Sequence, residues 1–285
     1  MSETPAPDAP VWLITGCSTG IGRAIAEAAL ERGDRVAVTA RNPAAIADIV
    51  ERFPKTAIGL PLDVADGAQV KAAAAAAEQA FGRIDILVNN AGYGYLAAIE
   101  EGEESEVRAL FDTNYFGAIA MVKAVLPTMR RQRRGHIINI SSMTGLVSNP
   151  GAGYYSASKF AMEAMTECLS KELAPFNIQS SAVEPGAFRT KWAGGSMKQT
   201  STPLEAYADT VGMRRGFIKS MDGRQAGDPV KCAQAVLRIA LAPDAPLHLL
   251  LGHDVLAAFK AKLADLQKNI AEWEAVTLDV NLPDA

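Results

Sequence analysis

Cysteine is scarce in this 285-residue chain. Cys17, Cys168 and Cys232 are too few and too far apart for a disulfide framework or a zinc pattern. Histidine is equally rare. His136, His248 and His253 show no metal-ligand spacing, so no metal is expected. Neither sign of charge dominates: 28 Lys and Arg stand against 32 Asp and Glu, a formal net charge of -4. No basic field is available for nucleic acid. No stretch approaches the ~18 uninterrupted apolar residues of a membrane span. Residues 1–10 hold three prolines and two acids but no basic or apolar segment, which excludes a signal peptide and reads as a short disordered leader. Reduced thiols without an address make a cytoplasmic location the expectation.

Hydrophobic residues are 49% and charged residues 21% of the chain, a globular composition that rules out a disordered protein. Short apolar runs alternate with helical patterns. Val11 to Thr15, Arg35 to Ala40, Ala57 to Leu62, Ile84 to Val88, His136 to Ile140 and Ile178 to Val183 read as strands. The third is the weakest, because Pro61 cannot donate to a ladder. Helices are expected over Ile21 to Arg32, ended by Gly33, and over Val70 to Phe81, Glu104 to Arg134 and Tyr155 to Ala174. The basic cluster at Arg130–Arg134 reads as a solvated helix end. Strand–helix alternation at this spacing predicts an α/β doubly wound parallel sheet, and no composition break divides residues 11–285.

Thr15-Gly16-Cys17-Ser18-Thr19-Gly20-Ile21-Gly22 falls between the first strand and the first helix. Glycines there let backbone N–H groups approach a pyrophosphate at a helix N-terminus, so the loop is a candidate dinucleotide cradle. No Gly-Lys-Ser/Thr follows, which excludes a nucleotide triphosphatase loop. The second strand ends in Ala40-Arg41-Asn42, without the acid that would hold a ribose 2′-hydroxyl. Arg41 instead suits a 2′-phosphate, and NADP(H) is the expected cofactor.

Tyr155 and Lys159, four apart at a predicted helix start, share a helix face, whereas Tyr154 lies about 100° off that line. A neighbouring ammonium is expected to lower the phenol's pKa from ~10 toward useful proton transfer. Ser141-Ser142 follows the fifth strand, at the edge where such sheets bind ligands.

These pieces together resemble the short-chain dehydrogenase/reductase family, in its single-domain branch. They are Thr15-Gly16-x3-Gly20-Ile21-Gly22, Asp63-Val64, Asn89-Asn90-Ala91-Gly92, Asn114, Ser142, Tyr155-x3-Lys159 and Pro185-Gly186-x3-Thr190, in family order over about residues 11 to 190. The resemblance implies a Rossmann-type fold and hydride transfer between a nicotinamide and a carbonyl or secondary alcohol. It makes Tyr155 the acid/base and gives Lys159 the tuning of that tyrosine and the nicotinamide ribose. Ser142, thirteen positions before Tyr155, orients the carbonyl, and Asn114 supports a proton relay. Cofactor contacts implied are Gly16, Ser18, Thr19, Gly20, Ile21, Arg41, Asp63, Val64, Ala91, Gly92, Tyr155, Lys159, Pro185, Gly186, Phe188 and Thr190. Asn89 is implied to steady the central sheet.

Within the family, Val36 to Pro43 and the long C-terminus resemble reductases of the hydroxysteroid and retinol dehydrogenase type. Pro246 to Gly252 reads as a seventh strand and Val255 to Val276 as an amphipathic helix, within a tail over residues 253–285. That tail puts tetramer assembly in doubt and leaves a homodimer as the expectation. Tyr93, Tyr95, Met143, Leu146, Phe188 and Trp192 are expected to border an apolar or aromatic small-molecule substrate. Met213, Phe217 and Met221 would join them from a lid over residues 191–228. Two alternatives stand beside this reading. A nucleotide-sensing protein without chemistry would not need the Tyr155–Lys159 dyad, and an epimerase of the longer branch would need a larger C-terminal domain.

Overall fold

In the computed structural model the described residues are 8–190 and 192–282, less the side chains of residues 193 and 194. In chain order the elements are β1 (Val11–Ile14), α1 (Gly20–Glu31), β2 (Arg35–Ala40), α2 (Ala47–Arg52), β3 (Ala57–Pro61), α3 (Gly67–Phe81) and β4 (Ile86–Asn89). There follow β5 (Gly94–Leu96), α4 (Glu104–Phe111), α5 (Gly117–Gln132), β6 (Gly135–Ile140), α6 (Gly153–Leu173) and β7 (Ile178–Pro185). The chain continues through α7 (Trp192–Gly195), β8 (Met197–Gln199), α8 (Met213–Ser220), α9 (Pro229–Ala240), β9 (His248–Leu251) and α10 (His253–Leu278).

Seven strands form one parallel sheet in the order β3-β2-β1-β4-β6-β7-β9. The order reverses between β1 and β4, so the loops leaving these two strands diverge and open a crevice at the carboxyl edge. Alternation along β1 explains the two-sided core. Trp12 and Ile14 face a layer with Ile25 of α1 and Val236 of α9, while Leu13 faces Ala73 of α3 and Val125 of α5. Pro61 is tolerated because β3 is an edge strand and ends on it, opposite Ala40.

Local signals set the boundaries. Gly33 takes φ +93 just beyond α1, as a helix stop requires. The carboxylate of Asp66 accepts from the N–H groups of Ala68 and Gln69, which starts α3 three residues before the expected Val70. The helix expected from Glu104 holds a π-helical turn at Asp112–Phe116 and passes through Pro127. Over Glu104–Gln132 its hydropathy reaches that of a membrane span. Yet it buries Met121, Val122, Val125 and Met129 against the sheet, which is the apolarity of a core helix.

Two expectations change. The leader read over residues 1–10 lies, for residues 1–7, outside the described residues. Ala9 and Pro10 already belong to the fold, since their carbonyls accept from Arg35 Nη2 at 2.9 Å and Arg35 N at 3.0 Å. The segment after Trp192 is more structured than its glycines suggest. It contains α7, α8 and the strand β8, which pairs in parallel with β5. It leaves and returns at one point, where Arg189 N donates to Gly227 O at 2.8 Å and Gly227 N to Ala187 O at 3.0 Å.

Candidate active site

The loop after β1 is shaped by what cannot fit in it. Gly16 and Gly20 hold φ of +73 and +66, and a Cβ on Gly16 would press on Ala91 Cα at 3.0 Å. A Cβ on Gly22 would lie 2.2 Å from Asn90 Nδ2. Asn90 is the fastener here: its amide donates to the carbonyls of Thr15 and Gly16 at 2.9 and 3.1 Å. Thr15 Oγ1 in turn accepts from the backbone N–H groups of Asn90 and Ala91, both at 2.9 Å. Thr19 at the N-cap of α1 makes no side-chain cap, so the first-turn N–H groups at Gly20, Ile21 and Gly22 have no side-chain acceptor. A glycine cradle ending in an uncapped helix fits a pyrophosphate. Cys17 contributes backbone only: its N donates to Thr39 O at 2.7 Å, and burial pushes its thiol up to about 12.

Around the cradle stand the other residues singled out by sequence. Arg41 is exposed at the end of β2 and has no hydrogen-bond or ion-pair partner among the described residues. Its charge reaches Tyr93 and Lys198, at the mouth of the crevice. Asp63 caps its own turn by accepting from Ala65 N at 3.0 Å, and buried Val64 packs on Gly117. Asn89 donates to Asn139 Oδ1 and Asn139 to Thr166 Oγ1, each at 2.9 Å, a buried polar tie from β4 through β6 to α6. Beyond Pro185, at the end of β7, Gly186 N donates to Leu251 O at 2.9 Å. Thr190 comes to the cradle, its Cβ 3.5 Å from where a Cβ on Gly20 would stand. Phe188 packs on Gly227 at the root of the following excursion, and nothing places its ring against the cradle.

The fold brings Asn114, Ser142, Tyr155 and Lys159 to one end of the sheet. Asn114 sits fully buried in the π-helical turn. Its Oδ1 accepts from Tyr93 N at 3.0 Å, and its Nδ2 donates to Tyr93 O at 2.9 Å and Ser158 Oγ at 3.2 Å. Ser158 is a participant the sequence reading passed over, although it lies one turn after Tyr155, to whose carbonyl it donates at 2.8 Å. Lys159 Nζ donates to Ile140 O at 2.8 Å and lies 5.9 Å from the Tyr155 ring centroid. Gly92 has no room for a side chain, because its Cβ would stand 3.0 Å from Asn114 Oδ1 and 3.8 Å from Lys159 Nζ.

The neighbours differ in their partners. Tyr154 spends its hydroxyl on Ile99 O at 2.6 Å. Ser141 is buried toward Glu163, whereas Ser142 is half-buried, accepts from Thr144 N and Thr144 Oγ1 at 3.2 and 3.0 Å, and stands close enough to the Tyr155 hydroxyl to favour its ionised form.

Burial dominates the electrostatics. It pushes Tyr155 up to about 12, only partly offset by the hydroxyls of Ser142 and Thr144. The lysine is itself brought down to about 8 by burial, against the opposing pull of Glu163. Behind Lys159, three elements gather a cluster that sequence spacing hid: Glu163 on α6, Glu184 on β7 and His248 on β9. His248 Nδ1 lies 2.8 Å from Glu184 Oε1 and 3.4 Å from Glu163 Oε2, and burial raises both carboxyls. His136, by contrast, lies buried against Ser181 Oγ at 2.9 Å, and His253 is exposed.

On the open side, Trp192 stacks obliquely on Tyr155 with centroids 5.6 Å apart, and Lys198 covers Tyr93 at 5.2 Å. Met143 and Leu146 follow Ser142 in the same turn. Tyr95, expected to border a substrate, is instead a core residue whose hydroxyl donates to Glu103 Oε2 at 3.2 Å. Met213 and Phe217 face outward, 68% and 53% exposed, while Met221 is half-buried. The acids of residues 100–106 hold the excursion down: Glu101 accepts from Leu204 N at 2.8 Å and pairs with Arg215, Glu103 accepts from Ser201 N at 2.9 Å, and Glu106 pairs with Lys198 at 2.6 Å.

Comparison with known proteins identifies the family. A family model described as short chain dehydrogenase matches residues 10–201. The oxidoreductase BOA17 of Botryotinia fuckeliana is 38% identical over 94% of this chain and 98% of its own. A 3-ketodihydrosphingosine reductase of Bacteroides thetaiotaomicron is 36% identical over 92% and 95%. Among solved structures, a short-chain dehydrogenase from Streptomyces avermitilis superposes with a TM-score of 0.91 at 41% identity, covering 96% of this chain and all of that one. A short-chain dehydrogenase/reductase from Burkholderia phymatum, in complex with NAD, gives 0.82 at 26% identity over 94% and 97%. The protein ElxO, with NADP bound, gives 0.73 at 26% over 87% and 99%. With its parallel sheet, its glycine cradle and its Ser142–Tyr155–Lys159 grouping, the chain belongs to the short-chain dehydrogenase family of oxidoreductases.

Proposed function

We propose that the chain is an NADP(H)-dependent carbonyl reductase or alcohol dehydrogenase, with Tyr155 as its acid/base. The observation that carries this reading is the meeting of Ser142, Tyr155 and Lys159 beside an uncapped helix N-terminus. When bound, the nicotinamide supplies or receives the hydride. The residues of the cradle, Gly16 to Ile21, would hold the pyrophosphate, and Ala91, Gly92, Lys159 and the Pro185–Thr190 segment the nicotinamide half. Arg41 is the ground for NADP(H): a cation at the end of β2, with no acid paired to it among the described residues, suits a 2′-phosphate. Ser142 orients the carbonyl oxygen, and Tyr155, held protonated by burial, donates its proton to that oxygen. Lys159 and Asn114 resupply it.

The substrate we infer is a small apolar or aromatic ketone or alcohol. Trp192 and Tyr93 form the open side of the site, and the excursion from Trp192 to Asp228 serves as its lid. A relative named for reducing a keto group on a sphingoid base supports an apolar carbonyl compound. The test is Tyr155→Phe, assayed with NADPH and NADH against ketones, aldehydes and quinones. Turnover should fall by about 10²- to 10⁴-fold while cofactor binding persists. A variant that reduces carbonyls at the wild-type rate removes Tyr155 from the mechanism.

A further inference from the structure

The C-terminal helix is out of proportion to what holds it. Of the 26 residues of α10 only Val255 is buried. Its first turns are docked, with Lys262 donating to Leu146 O and lying 4.7 Å from the Phe160 ring centroid. Beyond that the helix carries apolar side chains that touch no core. Ile270 is 67% and Trp273 61% exposed, and Leu263 and Leu266 exceed two fifths, as does Leu256 within the docked turns.

The spacing of these residues is regular. Leu256, Phe259, Leu263, Leu266, Ile270 and Trp273 recur at intervals of three and four, the heptad seam that two helices bury between them. The charges beside the seam are polar along its length. Directly beside it stand Lys260 in the first half and Glu274 in the second, while Lys262 is held by the fold and Lys268 pairs with Glu272 at 3.7 Å. Parallel pairing would set each of the two charges near its own copy, whereas antiparallel pairing sets each Lys260 against a Glu274.

We propose that α10 pairs antiparallel with α10 of a second copy of this chain, along the seam from Phe259 to Trp273. In that register Leu266 meets the partner's Ile270, Leu263 meets the partner's Trp273, and Lys260 lies beside the partner's Glu274 at both ends of the two-fold. An isologous contact of this kind closes on itself, so it yields a dimer and no filament. A membrane surface is the weaker occupant, because a helix lying on anionic lipid carries Lys and Arg over its polar face, and this one carries Asp265 and Glu272 there against the single Lys268, which pairs with Glu272.

The full chain, examined by sedimentation velocity, should run as a dimer of 30.1 kDa subunits. Ile270→Asp with Leu263→Asp should leave a monomer whose melting temperature and NADPH binding persist. Charge reversal then tests orientation. Lys260→Glu alone and Glu274→Lys alone should each weaken the dimer by about tenfold, and the double reversal should restore it. A monomeric wild type, whether or not it binds phosphatidylserine vesicles, overturns the proposal. So does a dimer that survives the two aspartates, or one that the single reversals leave unchanged.

Discussion

The ammonium of Lys159 donates to the carbonyl oxygen of Ile140 at 2.8 Å, which fastens the lysine of α6 to the residue just before Ser141 and Ser142. Burial brings Lys159 down to about 8 and holds Tyr155 up at about 12. Tyr155 keeps its proton throughout the neutral range, while Lys159 loses its charge as pH rises through its own value. Carbonyl reduction that needs the ammonium should fall above a pH of about 8. Lys159→Arg, charged throughout, should lower the rate but carry that fall beyond a pH of about 10. The measurement is kcat/KM between mildly acidic and strongly alkaline pH. An unmoved alkaline limb assigns it to another group.

Arg41 should decide between the two nicotinamide dinucleotides. It stands exposed at the end of β2 with its charge unspent on any acid among the described residues. A charge-assisted contact to a 2′-phosphate is worth roughly 1.5–3 kcal/mol, so Arg41→Ala should weaken NADPH binding by about 10- to 100-fold and leave NADH binding nearly unchanged. Arg41→Asp should reverse the preference. Equal losses for both cofactors in a fluorescence titration would assign Arg41 to the surface.

Much of this architecture was legible because buried parallel strands announce themselves as short apolar runs, as at Val11–Ile14 and Arg35–Ala40. Tyr155 and Lys159 were legible because helix geometry turns a spacing of four into one face. What stayed hidden depends on contacts between residues far apart in the chain. Strands β5 and β8 are three residues each, too short for a period, and are defined only by each other. Asn90 is one polar residue in a loop until the fold sets its amide on Thr15 and Gly16. Glu163, Glu184 and His248 come from three elements and share no local pattern. Helix α9 did have a local signal, Asp228 capping Val230 N at 2.8 Å with Pro229 in the first turn, and it was passed over.

The fit of Asn90 against the cradle gives a stability test that also reads out cofactor binding. A Cβ on Gly22 would stand 2.2 Å from Asn90 Nδ2 and 2.7 Å from Gly16 O. The second neighbour is backbone, so the clash cannot be relieved by one side chain swinging away. Gly22→Ala should cost about 1–3 kcal/mol in urea unfolding and weaken dinucleotide binding, because the displaced loop is the pyrophosphate cradle. Pairing it with Asn90→Ala should recover part of the stability but not the affinity. Full stability in the single variant would mean that the cradle is looser than these distances imply.

His136 predicts how the fold responds to acid. Its ring is buried in β6 against Ser181, and desolvation lowers its pKa from 6.5 to about 4. Below the unfolded value the unfolded chain takes up a proton that the folded chain refuses, so stability is lost as pH falls from 6.5 toward 4 and the loss then levels off. A shift of this size corresponds to about 3 kcal/mol at its fullest. His136→Gln can keep a contact to Ser181 without a titrating ring. Urea unfolding at neutral pH and again near the folded-state value should show the wild type losing about 3 kcal/mol more than the variant between the two conditions. Parallel losses in the two proteins would mean that water reaches the ring, and that the acid sensitivity of the fold belongs to its carboxylates.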